Sequence, residues 1–123
     1  MKKFYVLLVL AAVPALVFFG CKHEPVVPEH EVSFSQDIQP ILQMGCMHSG
    51  CHNDSASAEF PLTTYDFVME NGDVKAGEPE DSELYEVLNE SGDDRMPREP
   101  YAPLSDRNKE LIYIWILQGA KNN

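Results

Sequence analysis

The chain has few cysteines, little positive charge and only one long apolar run. Its 123 residues include 3 cysteines and 9 lysines and arginines, against 20 aspartates and glutamates. Three cysteines cannot supply the two spaced pairs that are usual in structural zinc sites. The net charge of −11 disfavours nucleic acid as a partner, because its phosphates would repel the chain. No stretch alternates as a strand does and no repeat is visible, so the sequence predicts an all-α fold.

The long apolar run, residues 4–19, follows Lys2 and Lys3, and we interpret residues 1–20 as an export signal. A bilayer span needs about 20 apolar residues, so this run suits a signal better than a span. The residue that follows, Cys21, resembles the lipidated cysteine of a bacterial lipobox. The alternatives are an uncleaved anchor and a simple secretory signal. All three place the rest of the chain outside the cytoplasm, and the lipidated form would belong to the bacterial cell envelope, either periplasmic or on the outer surface.

The residues after the signal divide into a tether and one domain. Residues 21–32 hold two prolines and several charges without apolar periodicity, which predicts an extended lipidated tether. Residues 33–123 form the predicted domain, near the size at which a core alone is marginally stable. Losing the two lysines of the signal makes the net charge more acidic (−11 − 2 = −13). Such a surface would favour a partner with a basic docking face.

Apolar spacing and capping residues predict four short helices in long loops. The first covers residues 35–43 and contains Pro40. The others are a helix from Thr63 or Thr64 through Met69, a helix that begins at Pro79 and carries Leu84, Val87 and Leu88, and a last helix over residues 106–118. Ser105 is its expected N-cap and Gly119 its expected C′ residue, and its broad apolar surface predicts burial on more than one side.

The most informative motif is the segment 46–52, which reads Cys-Met-His-Ser-Gly-Cys-His. Two cysteines followed by a histidine can bind haem covalently, with His52 as an axial ligand to iron. The usual spacing has two residues between the cysteines, whereas four separate Cys46 from Cys51 here. The larger loop is sterically feasible, because Gly50 eases the bend. A Cys46–Cys51 disulfide and a zinc site remain alternatives at this stage.

A haem iron with two axial ligands needs one on its second face, and Met96 is the best candidate. Its loop, residues 95–103, contains three prolines that restrict the unligated chain. Met69 is the reserve candidate, and filling a core gap is the alternative role for Met96. Four side chains are weaker candidates for contacts with the haem propionates: Tyr85, Arg95, Arg98 and Tyr101. His48 is expected to take no part in the site.

Taken in order, these motifs resemble the class I cytochrome c domain. The resemblance is carried by Phe34-Ser35-Gln36-Asp37-Ile38-Gln39-Pro40-Ile41-Leu42, the motif Cys46 to His52, Gly77 to Leu84, Met96-Pro97, and Trp115-Ile116-Leu117-Gln118-Gly119-Ala120. It is closest to small exported bacterial domains with four residues between the cysteines. It implies a small fold of short helices and long loops around one haem c, held by Cys46 and Cys51, with His52 and Met96 as axial ligands. It also implies that Phe34 and Ile38 pack against Ile114 and Trp115.

The leading functional prediction is a membrane-tethered monohaem electron carrier that catalyses no substrate conversion itself. The partners would be a redox protein with a basic docking face and a membrane, reached through the lipid on Cys21. The oligomeric state is not predicted. One alternative is a catalytic or sensory haem, if Met96 does not ligate the iron. The other is a haem-free lipoprotein with a disulfide, acting as a binding or structural module.

Overall fold

A computed structural model describes residues 28–54 and 60–123. Within these ranges the chain is helical and contains no strand, so the all-α prediction is confirmed at that level. In chain order the elements are a π-helical turn Phe34–Ile38, α1 Gln39–Gly45, α2 Tyr65–Asn71, a 3-10 turn Pro79–Asp81, α3 Glu83–Glu86, a 3-10 turn Gly92–Asp94 and α4 Asp106–Leu117. None of the helices in this part of the chain is both long and apolar enough to cross a membrane. The predicted signal, Cys21 and most of the tether lie outside the described residues.

The first helix begins with a π-helical turn that leads into α1. Ser33 is its N-cap, and its hydroxyl accepts a hydrogen bond from the Gln36 N–H. The Gln39 N–H reaches back to the Phe34 carbonyl, which closes the wider π turn. Pro40 then falls in the first turn of α1, where a missing N–H costs little. The predicted helix is confirmed, and the change from π to α winding accommodates the proline.

The π-helical turn packs against α4 in the core of the domain. The Phe34 ring lies 5.5 Å from the Trp115 ring and 5.2 Å from the Tyr65 ring, the latter edge-on. Trp115 and Ile38 are fully buried, and Ile114 belongs to the same core. Aromatic pairs in such arrangements contribute beyond their buried area. The expected packing of the first helix against the last is therefore confirmed.

The helix α4 has the predicted capping at both ends. The Ser105 hydroxyl accepts a hydrogen bond from the Asn108 N–H at 3.3 Å. Gly119 follows the helix with φ of 101°, in the left-handed region that terminates helices. The helix is buried on more than one side, as its composition predicted, through Ile112, Ile114, Trp115 and Ile116.

The single helix predicted from Pro79 onward is wrong, because Ser82 interrupts it. Ser82 is extended, with φ of −97° and ψ of 120°, and separates the 3-10 turn from α3. Its buried hydroxyl accepts a hydrogen bond from the Lys75 N–H at 2.9 Å and donates to the Glu78 carbonyl at 2.9 Å. A serine side chain that bonds nearby main chain competes with continued helix. Val87 and Leu88 therefore follow α3 instead of lying within it.

The two ends of the described chain meet beside the first helix. The Asn123 side chain accepts a hydrogen bond from the Phe34 N–H at 2.8 Å, and its main-chain oxygen accepts one from the Ser35 N–H at 2.9 Å. Both donors belong to the helix start, where N–H groups lack partners within the helix. Glu31 pairs with Lys121, and Val32 is 1% exposed. The last two residues of the predicted tether thus contact the domain.

Candidate functional site

The segment from Cys46 to His52 forms a compact turn directly after α1. Cys46 caps the helix through a 2.8 Å bond from its N–H to the Leu42 carbonyl. The Cys51 N–H donates to the His48 carbonyl at 2.9 Å, and the His52 N–H returns to the Cys46 carbonyl at 3.2 Å. Gly50 has φ of 79°, which residues with a side chain seldom adopt. The four intervening residues therefore bring Cys51 and His52 back beside Cys46.

Both cysteines of this turn carry free thiols, Cys46 buried and Cys51 partly exposed. Burial, followed by the charge of the neighbouring Cys51, raises the pKa of Cys46 from 9.0 to about 11. An electrostatic effect of this kind requires the two sulfur groups to be neighbours. The Cys46 thiol stays protonated at neutral pH, and the pair faces a common space.

The ring of His52 is oriented by a main-chain carbonyl. Its Nδ1 lies 2.6 Å from the carbonyl oxygen of Phe60, which can only accept, so Nδ1 carries the proton of this bond. In the neutral imidazole, Nε2 then keeps its lone pair, which is the form that ligates metals. The Leu62 N–H also donates to the His52 carbonyl at 2.9 Å. Sequence analysis missed Phe60, because a main-chain acceptor has no side-chain signal.

Met96 reaches the same space from the loop that precedes α4. Its N–H donates to the Val87 carbonyl at 2.9 Å, and Pro97 beside it is buried. The Met96 side chain is partly buried and lines a cavity together with Cys46, Cys51 and His52. Met69, the reserve candidate, packs on the core and lines neither this cavity nor its neighbour.

Two adjoining cavities surround these side chains. The first, of about 350 Å³, contains all four residues predicted for the site. The second, of about 250 Å³, lies between the end of α2 and α3. The cavities share Cys46, His52, Phe60, Met96 and Arg98, and the second is walled by Leu62, Leu84, Val87 and Leu88. Apolar walls with a few convergent polar groups are typical of small-molecule and cofactor sites.

His48 has a structural contact that the sequence did not predict. Its ring stacks on the Tyr101 ring, with centroids 3.9 Å apart and planes inclined by 4°. Tyr101 and Arg98 line the first cavity, as two of the four weaker candidates. The third, Tyr85, packs edge-on against Tyr113 with ring centroids 5.1 Å apart. The fourth, Arg95, is partly buried and lines neither cavity.

An acidic groove of about 560 Å³ adjoins the Met96 loop. Its lining includes Asp73, Asp81, Glu83, Glu86, Glu90 and Asp94, together with Lys75, Met96 and Arg98. Across residues 28–54 and 60–123, no group of three or more His, Cys, Asp or Glu side chains is arranged to hold a metal ion. The groove concentrates negative charge next to the cavity that contains Met96.

In comparisons with protein-family models, curated proteins and solved structures, the chain matched none.

Proposed function

We propose that this protein is a membrane-tethered, monohaem c-type cytochrome that carries electrons. The observation that carries the proposal is the convergence of Cys46, Cys51, His52 and Met96 on one cavity. Met96 belongs to a different loop from the other three, so their meeting depends on the whole fold. This set combines two attachment thiols with one ligand of each type found in His/Met cytochromes.

The residues present fit a haem c group. Cys46 and Cys51 would each form a thioether bond, in which the sulfur adds to a vinyl carbon and the proton goes to the adjacent carbon. His52 would ligate through Nε2, since Nδ1 is bound to the Phe60 carbonyl. Met96 would supply a second ligand to the iron from a loop restrained by prolines. The bound group would supply an iron that alternates between two oxidation states.

The helices support a small cytochrome c-like fold around one haem. The first and last helices pack through Phe34 and Trp115, as in the resemblance to class I cytochrome c domains. On the other side, Leu84, Val87 and Leu88 would provide apolar walls. Such walls exclude water from a cofactor and influence its reduction potential. The described residues thus support one site with apolar walls, and Phe60 and Tyr101 in its lining are exposed.

The acidic groove supports a basic redox partner. Its carboxylates lie beside Met96 and Arg98, so a partner docked there would be close to the cavity. Attraction between opposite charges raises association rates, and salt screens it. We expect electron transfer to a basic partner to slow as salt rises, whereas transfer to a neutral small-molecule reductant should change little. Equal salt dependence with both would contradict this role for the groove.

The proposed location is the bacterial cell envelope, with the domain held at a membrane by lipid on Cys21. A lipid anchor and tether would raise the effective concentration of the domain near membrane-bound partners. Labelling with a fatty-acid probe tests the anchor. We expect the parent chain to incorporate the label and Cys21→Ser to lose it, while Cys46→Ala keeps it. Equal labelling of the parent and Cys21→Ser would exclude lipidation at this residue.

Covalent haem is tested in protein matured in a host with a cytochrome c assembly system. After denaturation and washing, we expect one haem per chain to remain on the parent. The variant with both Cys46→Ala and Cys51→Ala should retain none. If the parent retains none, the proposal fails, and the haem-free disulfide module becomes the account to test. The mass of the haem-free chain, measured with and without reductant, would then show whether the neighbouring thiols are oxidised.

Ligation by Met96 is tested by Met96→Ala, with Met69→Ala as the matched control. Losing the thioether should change the oxidised spectrum and lower the reduction potential, because Met/His ligation raises it. Met69→Ala should leave both unchanged, since Met69 packs outside the cavities. Parental spectra and potential in Met96→Ala would refute the assignment. If the iron of the parent protein lacks a ligand from Met96, the sensory or catalytic alternative is favoured.

A further inference from the structure

The stack of His48 on Tyr101 joins the two loops that carry the proposed haem ligands. His48 lies between the two cysteines, and Tyr101 lies beyond Met96 in the proline-containing loop. Their rings are parallel within 4° at a centroid distance of 3.9 Å. Both side chains line the cavity that contains Cys46, Cys51, His52 and Met96. This aromatic contact therefore joins the two loops within the lining of the cavity.

Main-chain and side-chain hydrogen bonds hold both ends of the stack. The His48 carbonyl accepts the Cys51 N–H at 2.9 Å and the Asn53 side-chain amide at 3.0 Å. The Tyr101 N–H donates to the Arg98 carbonyl at 3.0 Å. Each ring thus extends from a closed turn. A contact between two ordered turns restricts their relative movement more effectively than one between free chain ends.

The residue that forms the stack lies within the four-residue spacing of the motif. With only two residues between the cysteines, the loop would be shorter by two positions, and it would have fewer side chains to reach across the site. In this chain, Gly50 turns the loop with φ of 79° while His48 remains directed at Tyr101. The unusual spacing thus coincides with a contact between the longer loop and Tyr101.

We infer that His48 and Tyr101 are positioning residues that hold the Met96 loop closed over the cavity and so favour Met96 on the iron. This inference rests on the proposed haem function. Neither residue touches the iron in this account, and each acts through the position of Met96. An external ligand can bind the iron only in molecules whose Met96 has moved away. Its apparent affinity therefore scales with the fraction of molecules in that open state.

The test is a titration of the oxidised haem-loaded protein with imidazole, which competes with Met96 for the iron. His48→Ala and Tyr101→Ala should each bind imidazole about 2- to 12-fold more tightly than the parent, the factor that corresponds to losing one aromatic pair. The double variant should bind no more tightly than either single variant, because the two rings form one contact. Additive effects, or no effect, would overturn the inference.

Conservative and control variants distinguish loss of the aromatic stack from a general disturbance of the fold. Tyr101→Phe and His48→Phe keep a ring on each side and should retain near-parental imidazole affinity. Phe67→Ala removes a partly exposed aromatic of α2 that lines neither cavity, and it should also behave as the parent. Tighter imidazole binding in Phe67→Ala, or failure of Tyr101→Phe to restore the parental value, would contradict a role for the stack.

The Met96→Ala background shows whether the stack acts through the methionine. Without Met96 there is no competing ligand, so adding His48→Ala should leave the imidazole affinity unchanged. If His48→Ala still increases the imidazole affinity in this background, the stack controls the access of imidazole to the iron and not the position of Met96. That result would overturn the inference. Absence of covalent haem in the parent would overturn both the inference and the proposed function. Covalent haem and Met96 ligation without coupling between His48 and Tyr101 would overturn the inference alone.

Discussion

The side of the domain where the first and last helices pack differs sharply from the side that carries the cavities. On the helix-packing side, Trp115 and Ile38 are fully buried, and the Trp115 indole N–H donates to the Lys121 carbonyl at 3.0 Å. On the cavity side, Met96 and Cys51 are partly exposed, and Phe60 is 52% exposed. On the first side, buried side chains of the protein pack directly against one another. The second surrounds a space of cofactor-site character with thiol, imidazole and thioether groups.

The two sides of the domain should contribute differently to its stability and to its proposed function. A domain of this size gains limited stability from its core. Here buried aromatic and aliphatic side chains hold the helices together, while hydrogen bonds and one aromatic stack connect the loops that carry the candidate-site residues. Substitutions on the helix-packing side should therefore affect folding with or without haem. Substitutions at the cavity should have effects that depend on whether haem is bound.

The largest expected effect on stability is that of Trp115→Ala. Truncating a fully buried tryptophan leaves a cavity and should lower the free energy of unfolding by about 3–5 kcal/mol. Met96→Ala in the haem-free protein should cost less, because this side chain is only partly buried. Chemical denaturation of both haem-free variants measures the difference. Equal losses of stability would contradict the contrast between the two sides.

The next effect concerns the buried Cys46 thiol in the haem-free, reduced protein. Folding raises its pKa to about 11, so ionisation favours the unfolded chain once pH exceeds the ordinary value of 9.0. This contribution to stability is intact below pH 9 and is lost as pH rises through about 11, by up to about 3 kcal/mol. The difference in unfolding free energy between the parent and Cys46→Ala, followed from pH 8 to pH 11, isolates the thiol from other titrating groups.

Haem attachment should abolish that pH dependence, because a thioether sulfur carries no ionisable proton. The difference in unfolding free energy between haem-loaded parent and haem-loaded Cys46→Ala should therefore not change between pH 8 and pH 11. A flat difference in the haem-free protein would mean that Cys46 is not buried as described. A sloping difference in the loaded protein would mean that Cys46 is not the attachment residue.

A smaller effect is expected for Ser82→Ala, which tests how α3 is held beside the second cavity. The variant leaves the Lys75 N–H and the Glu78 carbonyl without their 2.9 Å partners and should cost about 1–3 kcal/mol. Ser91→Ala is the matched control, since Ser91 is exposed and its side chain does not cap the turn that follows. Thermal unfolding measures both. A cost for Ser82→Ala no larger than that of Ser91→Ala would contradict the buried role of this hydroxyl.

The smallest expected effect is the loss of one helix cap on the helix-packing side. Ser105→Ala removes the hydroxyl that accepts the Asn108 N–H and should cost about 1 kcal/mol. Ser105→Asp keeps a capping oxygen and should restore most of the stability. The midpoint of urea unfolding measures both variants. Equal destabilisation by alanine and aspartate would show that the cap does not stabilise α4.

The features that sequence predicted well are local ones. The Thr64 cap of α2, and the Ser105 cap and Gly119 end of α4, follow from backbone preferences within a few residues. The motif from Cys46 to His52 could also be identified from sequence, because its residues are adjacent in the chain. Met96 could be proposed only from its loop and the family resemblance, and the structure places it on the same cavity.

The features that sequence did not predict depend on contacts between distant residues. The contacts of Asn123 with the first helix, the stack of His48 on Tyr101 and the Phe60 carbonyl beside His52 are visible only in three dimensions. The break at Ser82 was missed because its hydroxyl bonds main chain on the preceding loop, which overrides helical periodicity. Local sequence patterns thus predicted the residues of the candidate site, and contacts between distant residues determine how those residues are arranged.

The most direct test of the central claim is the haem content of the denatured, washed protein after maturation in a competent host. The account predicts one covalently bound haem per chain in the parent, partial or unstable attachment when Cys46 or Cys51 alone is replaced by alanine, and none when both are replaced. Parent protein without covalent haem, or equal haem content in the parent and the double variant, would contradict it.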